Sequence, residues 1–210
     1  MTDTLTENAA PAEEAAKIVP RAEFRVFGRS VIDGVRENMW KCKAQLFKVR
    51  IMPEETYILS RFSDDANVKV RGGLLDVKLK IGETPEGYEI FRPQGKYRFS
   101  VGRGTLGDVF RRLGVEQDLA RDAYTFDELC SLIRRNPDTA LVSVEKMRYG
   151  FSLNGVICEY AKVWFNDAMV ETACCESENY AAIRSAVEAL GLEGRPNTNY
   201  LKAAKHVIGM

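Results

Sequence analysis

Several short stretches each carry two cations spaced two residues apart. Lys69 and Arg71 stand in Val68–Arg71, Lys78 and Lys80 in Leu75–Ile81, Lys96 and Arg98 in Lys96–Val101, and Lys146 and Arg148 in Leu141–Tyr149. On an extended chain, residues two apart project to one face while their apolar neighbours project to the other. Neighbouring strands that curl with such faces inward would make a cationic channel. A channel of that kind suits a polyanion such as a chain of phosphates, because Lys and Arg give charge-assisted hydrogen bonds to phosphate oxygens. The same alternation also describes an open antiparallel sheet with its polar face in water.

Carboxylates lie among these cations. Glu23, Asp76, Glu89, Glu159, Glu171, Glu176 and Glu178 fall on or beside stretches that read as strands. Acids facing inward beside bound phosphates would be suitable ligands for Mg²⁺ or Mn²⁺, which prefer hard oxygen donors. Cross-strand salt bridging is the alternative, and it needs no ligand. Spacing alone does not separate the two.

Other chemistries are narrowed by residue type. The only histidine is His206, so multi-histidine metal sites are excluded and a Ser-His-Asp or Cys-His arrangement would have to use that one residue. Five cysteines, an odd number with no C-x-x-C, argue against a disulfide framework or a cysteine zinc site. Reduced thiols in a cytoplasm are the simpler expectation. Gly102, Gly104 and Gly107 spell G-x-G-x-x-G, but the context lacks the strand–helix–strand unit that a dinucleotide site needs. These glycines are read as turn residues.

The elements that must position the charges can be read from periodicity. Strands are expected at Glu23–Phe27, Glu55–Ser60, Val68–Arg71, Leu75–Ile81, Tyr88–Arg92 and Lys96–Val101, the last two split by Pro93. A turn is expected at Ser63–Asn67. Asp33–Val49 reads as a helix start followed by a strand. Short helices are expected at Asp108–Leu113 and Phe126–Arg135, then strands at Leu141–Tyr149, Gly155–Phe165 and Met169–Cys175. Helices at Glu178–Leu190 and about Asn199–Val207 close the chain. Strands joined by short turns favour an antiparallel sheet or barrel over alternating βαβ units, in an α+β protein.

Composition sets the remaining bounds. The 210 residues suit one ordinary domain, with 45% hydrophobic residues to build a core. Residues 1–20 are rich in Thr, Glu, Ala and Pro and read as a disordered tail, leaving 21–210 as one domain. Thirty basic and thirty acidic residues cancel, which disfavours duplex nucleic acid held by bulk charge. No apolar run is long enough for a membrane helix, and no basic-then-apolar leader opens the chain. A cytoplasmic protein is expected.

The order of these motifs, from about Arg21 to Lys205, resembles the CYTH superfamily, the triphosphate tunnel metalloenzymes. Glu55–Ser60 is similar to the family's second conserved strand, Val68–Arg71 to its R-x-R strand, and Leu75–Lys80 to its lysine-bearing strand. Gly87–Ile90 supplies an acid at the following position. Lys146–Arg148 matches a later K-x-R strand, Cys158–Ala161 an acidic strand, Cys174–Glu178 the closing acidic strand, and Asn199–Lys202 the final stretch. The resemblance implies an antiparallel eight-stranded barrel around a tunnel, with flanking helices. It implies phosphate binding by Arg25, Lys69, Arg71, Lys78, Lys80, Lys146 and Arg148, and metal binding by Glu23, Glu89, Glu159 and Glu176.

The chain departs from the family at three acidic positions and one basic one. Arg21 stands where the opening motif has its first Glu, Arg25 where it has Lys, Ala161 where an Asp is usual, and Cys174 at an acidic place of the closing strand. Three functions follow as expectations. The first is hydrolysis of a triphosphate or polyphosphate compound with Mg²⁺ or Mn²⁺, with cyclisation of a nucleoside triphosphate as a variant. The second is a binding module for polyphosphate or a nucleotide that has lost catalysis. The third is a barrel whose cations are paired internally and bind no phosphate.

Overall fold

Alternating residues form the long strands of this computed structural model, which describes residues 19–210. The expected tail therefore lies, apart from Val19 and Pro20, outside the described residues. The strands are β1 (Arg21–Gly28), β2 (Gln45–Ser60), β3 (Ser63–Arg71), β4 (Leu74–Glu83) and β5 (Glu89–Arg98), followed by two-residue strands β6 (Val101–Gly102) and β7 (Ala123–Tyr124), then β8 (Thr139–Leu153), β9 (Val156–Phe165) and β10 (Ala168–Ser177). The helices are α1 (Val31–Lys41), α2 (Arg103–Arg112), α3 (Phe126–Arg135), α4 (Tyr180–Ala189) and α5 (Tyr200–Ile208). Eight strands close into an antiparallel barrel in the order β1-β10-β9-β8-β2-β3-β4-β5, so the α+β barrel with flanking helices is the observed architecture. The seam is short: β1 meets β5 through Arg21↔Phe91, Ala22↔Ile90 and Glu23↔Glu89.

Some boundaries differ from the sequence reading, each for a physical reason. Ser63–Asn67 is strand, because Ser60 and Ser63 make the tight return to β2 instead. Pro93 does not divide the strand. It sits in β5 beside a register shift, where Gly95 pairs Val77 and Pro93 pairs Lys78, and a bulge accommodates the missing N–H. The glycines of G-x-G-x-x-G are not turn residues: Gly102 is the N-cap of α2, and Gly104 and Gly107 lie inside it. Burial of Leu106, Val109 and Phe110 offsets the cost of helical glycine, which is about 1 kcal/mol each. β6 pairs only with β7, antiparallel, so no βαβ unit surrounds the motif.

Three apolar clusters fix the barrel. On the outside, α1 and α4 pack on β1, β9 and β10 through Val31, Val35, Ile183 and Val187 against Phe24, Val26, Cys158 and Cys175. Also outside, α2 and α3 cover β3 and β4, with Leu106, Phe110, Leu129 and Ile133 against Val68, Val70, Leu75 and Val77. α3 begins in a capping box, Thr125 and Glu128 each satisfying the other's backbone N–H. The third cluster fills one end of the barrel interior. There Leu59, Val142, Val144, Val163 and Phe165 meet Leu201, Ala203 and Ala204 of α5. All five cysteines are free thiols. Among the described residues, no helix is long and apolar enough to cross a membrane.

Candidate anion-binding site

The unfilled part of the barrel interior is a cavity of about 450 Å³. Its walls carry nine cationic side chains and four carboxylates. The cations come from five strands because the period-two rows face inward: Lys69 and Arg71 on β3, Lys78 on β4, Lys146 and Arg148 on β8, Arg25 and Arg21 on β1, and Lys48 and Arg50 on β2. The acids are Glu23, Glu55, Glu159 and Glu176.

Burial grades along the cavity. At the α5 end, Arg25 is 4% exposed and Lys69 and Lys146 are 7% exposed, whereas Arg21, Lys48 and Arg50 at the opposite end are exposed. α5 makes the floor. The Tyr200 ring lies 5.2 Å from the Phe27 ring and 6.2 Å from the Tyr57 ring, centroid to centroid. Tyr200 also sits under two cations, with Lys146 Nζ 4.5 Å and the Arg25 guanidinium carbon 4.7 Å from its centroid. Hydrogen bonds pin the segment that leads into α5: Asn197 Oδ1 accepts from Arg25 N at 2.8 Å, and Thr198 N donates to Arg25 O at 2.7 Å.

Glu55 organises one wall. Its Oε2 accepts from Lys146 Nζ at 2.6 Å and Lys69 Nζ at 3.4 Å, and its Oε1 from Arg71 Nη1 at 3.3 Å. Burial works to raise this carboxyl, but Lys146, Lys69 and Arg71 override it and hold it below the usual carboxylate range. The Tyr57 hydroxyl accepts from Lys146 at 3.1 Å and Lys69 at 3.4 Å. Burial and the nearby Lys69 charge push the Lys146 ammonium down to about 7 despite the Glu55 bond. Lys69 is lowered too, chiefly by burial. Arg71 is further held by Asp76 Oδ2 at 2.7 Å.

Arg25 organises the other wall. Its Nε donates to Glu23 Oε1 at 2.6 Å, and its Nη1 to Glu159 Oε1 at 3.4 Å and Thr172 Oγ1 at 3.3 Å. Its Nη2 lies 2.9 Å from Cys174 Sγ, and burial pushes that thiol well up, so it stands neutral beside the guanidinium. The other oxygen of Glu159 is taken by Arg148. Burial raises Glu23, but Arg25 outweighs it and the carboxyl is lowered. Glu176 faces Glu23 across the β1–β10 ladder, and burial followed by the Glu23 charge raises its carboxyl, with Arg21 at 3.2 Å opposing.

Of the residues expected from the sequence, Arg25, Lys69, Arg71, Lys78, Lys146, Arg148, Glu23, Glu159 and Glu176 line this one cavity. Lys80 and Glu89 do not. They pair with each other at 3.4 Å, and Glu89 also takes Lys202 of α5 at 2.9 Å. Lys96 and Arg98 lie outside the lining, as does the whole segment 101–139, whose helices cover the outer wall instead of the mouth. The sequence reading did not single out Glu55, Tyr57, Tyr200, Lys48 or Arg50 as site residues. Lys48, Arg50 and Lys78 have no ion pair among the described residues.

A divalent metal was expected from the resemblance. Among the described residues, no group of three or more acidic, Cys or His side chains converges as ligands. Mg²⁺ at a phosphate site needs fewer, since it is held by one or two carboxylates with phosphate oxygens and water completing the shell. Glu23 and Glu176, opposite one another at one wall, fit that smaller donor set.

No protein-family model matches the chain, and no curated protein matches it. Solved structures with a similar course of the chain include the PH1012 protein from Pyrococcus horikoshii OT3, at 17% identity and TM-score 0.47, covering 88% of this chain and 98% of that one. The Hippeastrum protein HpAC1, described as an adenylyl cyclase candidate that reveals a dominant triphosphatase activity, matches at 11% identity and TM-score 0.47, over 91% and 96%. A Bacillus halodurans protein described as an adenylate cyclase candidate matches at 10% identity and TM-score 0.45, over 89% and 98%.

Proposed function

We propose that this chain binds triphosphate or longer polyphosphate compounds, free or joined to a nucleoside, inside the barrel. One observation carries the proposal: a cavity of about 450 Å³ walled by nine cations and four carboxylates. Its volume falls in the range of small-molecule sites. The excess positive charge is enclosed by barrel walls, where screening is weak and a polyanion gains most. Glu55, Glu23 and Glu159 are hydrogen-bonded to Lys and Arg, so they hold the cations in place when no anion does. The motif order that resembles the CYTH superfamily agrees with this assignment.

The test is thermal unfolding with inorganic triphosphate, with and without EDTA. A ligand that binds only the folded state raises Tm with its concentration. The expected result is a rise that persists in EDTA. No rise with triphosphate, adenosine triphosphate or long-chain polyphosphate would sink the proposal.

Hydrolysis of the bound compound is a second reading, and the Glu23–Glu176 pair favours it. Two facing carboxylates, one of them raised by burial and by the other's charge, are a place where a cation relieves repulsion. When bound there, Mg²⁺ or Mn²⁺ would supply neutralisation of charge on phosphate oxygens. The chain's own part is to orient the phosphates with Arg25, Arg148 and Lys146 and to exclude water at the Tyr200 floor. Phosphate release that requires Mg²⁺ or Mn²⁺ and is lost in Glu176→Gln would establish this reading.

A further inference from the structure

β2 outruns one of its two neighbours. From Gln45 to Met52 it pairs with β8, but its pairs with β3 begin only at Thr56. Among the described residues this half of β2 is therefore laddered on one side and open on the other. Every second residue of an antiparallel strand aims its N–H and C=O at the side away from a given partner, so the open side offers backbone donors and acceptors to a further strand. Pro53 follows the open stretch, at an edge where a missing N–H costs no ladder bond. The two faces of this edge differ. Lys48 and Arg50 turn toward the cavity, are exposed, and have no ion pair among the described residues. Val49 and Ile51 turn outward and are 53% and 77% exposed. Beside them on β8 stand Tyr149 and Met147, with Tyr149 held by stacking on Tyr160 at 4.9 Å between ring centroids.

An extended segment added to this edge would alternate as β2 does. Its side chains on the cavity face would meet Lys48 and Arg50, and those on the outer face Val49 and Ile51. Acids complement the first pair and apolar residues the second. We propose that the open half of β2 is a docking edge for an extended segment of another protein in which acidic and apolar residues alternate. Backbone bonds would give such a segment its hold, and the two faces its selectivity. A second copy of this chain is a poor match, because pairing β2 with β2 brings Lys48 and Arg50 of both copies together on one face. Residues 1–18 carry Asp3, Glu7, Glu13 and Glu14, but Asp3, Leu5 and Glu7 are spaced two apart and Glu13 and Glu14 are adjacent, so acid does not alternate with apolar there. The docking edge stands independently of what the cavity binds.

Calorimetric titration and amide hydrogen exchange of the full chain test it. The probe is a peptide of alternating Glu and Val, blocked at both ends and about eight residues long, enough to span the open half. Its control has the same composition with all Glu before all Val. The alternating peptide should bind saturably and slow exchange of amides within residues 46–52. The control should bind at least about 10-fold more weakly, since it satisfies only one face of the edge at a time. Joint replacement Lys48→Glu and Arg50→Glu, both on exposed side chains, should weaken the Glu–Val peptide by about 10-fold or more and favour a Lys–Val peptide of the same pattern. Equal binding of the alternating and blocked-order peptides would reduce the effect to bulk charge and overturn the proposal. So would the lack of saturable binding up to about 1 mM. Slow exchange across 46–52 in the free monomer would give the edge to residues 1–18. Protection that grows with protein concentration would give it to a second copy. Either result would overturn docking of another protein.

Discussion

Lys146 Nζ stands 2.6 Å from Glu55 Oε2, and neither side chain is more than 7% exposed. The lysine is nevertheless easier to deprotonate than an ordinary one, chiefly because its surroundings are dry and then because the Lys69 charge stands beside it on the same carboxylate. The pair is thus a clamp with too much positive charge for its acid. An incoming anion would balance it.

Stability should rise with pH from about 7 toward 10. The folded protein holds the Lys146 proton with a pKa of about 7, while the unfolded chain holds it near the usual value of roughly 10.4. Between those limits the unfolded state binds more protons, so raising the pH favours the fold, and the cost is fully present below about 7. Lys146→Met should flatten this part of a Tm–pH profile. A bound phosphate chain would raise the lysine's pKa, so triphosphate binding at pH 8 should take up a proton. Titrations in buffers of different ionisation enthalpy measure that uptake.

Removing Glu55 should cost stability heavily. Glu55→Gln leaves Lys69 and Lys146 buried without a countercharge, and breaking buried pairs of this kind costs about 3–5 kcal/mol. Triphosphate should then raise Tm more in the variant than in the parent, since its oxygens replace the lost carboxylate. Differential scanning calorimetry with and without triphosphate gives both numbers.

The mouth cations should act differently. Lys48 and Arg50 are exposed and have no ion pair among the described residues. Replacing both with Ala should change stability by less than about 0.5 kcal/mol. Association with triphosphate should slow, and its dependence on salt should shrink, because these charges steer the anion inward. Stopped-flow binding at two ionic strengths distinguishes this from a loss confined to dissociation.

The outer helices should matter to stability and not to binding. Ile133 is wholly buried beneath α3 against β3 and β4, and no residue of 101–139 lines the cavity. Ile133→Ala should cost about 2–5 kcal/mol. Below its lowered Tm, the variant should bind triphosphate with unchanged affinity.

The sequence made the cationic rows legible because β3, β4 and β8 keep strict alternation through their charged parts. Lys69 with Arg71, and Lys146 with Arg148, therefore share a face in the fold as they do on paper. β2 hid its contribution. Lys48 and Arg50 face inward at even positions, a register shift falls between Met52 and Glu55, and the inward row continues at odd positions with Glu55 and Tyr57. One unpaired step breaks a period-two count. Tyr200 was hidden for another reason: its role depends on α5 entering a barrel built from strands far earlier in the chain, and no local pattern encodes that. Lys80 and Glu89 followed the alternation but found each other and Lys202 instead of the cavity.

The ring of strands is closed by partners from opposite ends of the polypeptide. β1 runs along β10 from Ala22↔Ser177 to Gly28↔Glu171, and touches β5 by only three pairs. A ribosome delivers β1 first and β10 nearly last. Until then Arg25 has neither Thr172 nor Cys174 beside it, and α5 has no barrel to stopper. The hairpins from β2 to β5 can assemble on the nascent chain, but a closed ring of strands cannot. The proposed anion capture would consequently belong to the finished polypeptide, and a chain cut short before β10 would expose its basic rows as an open ribbon.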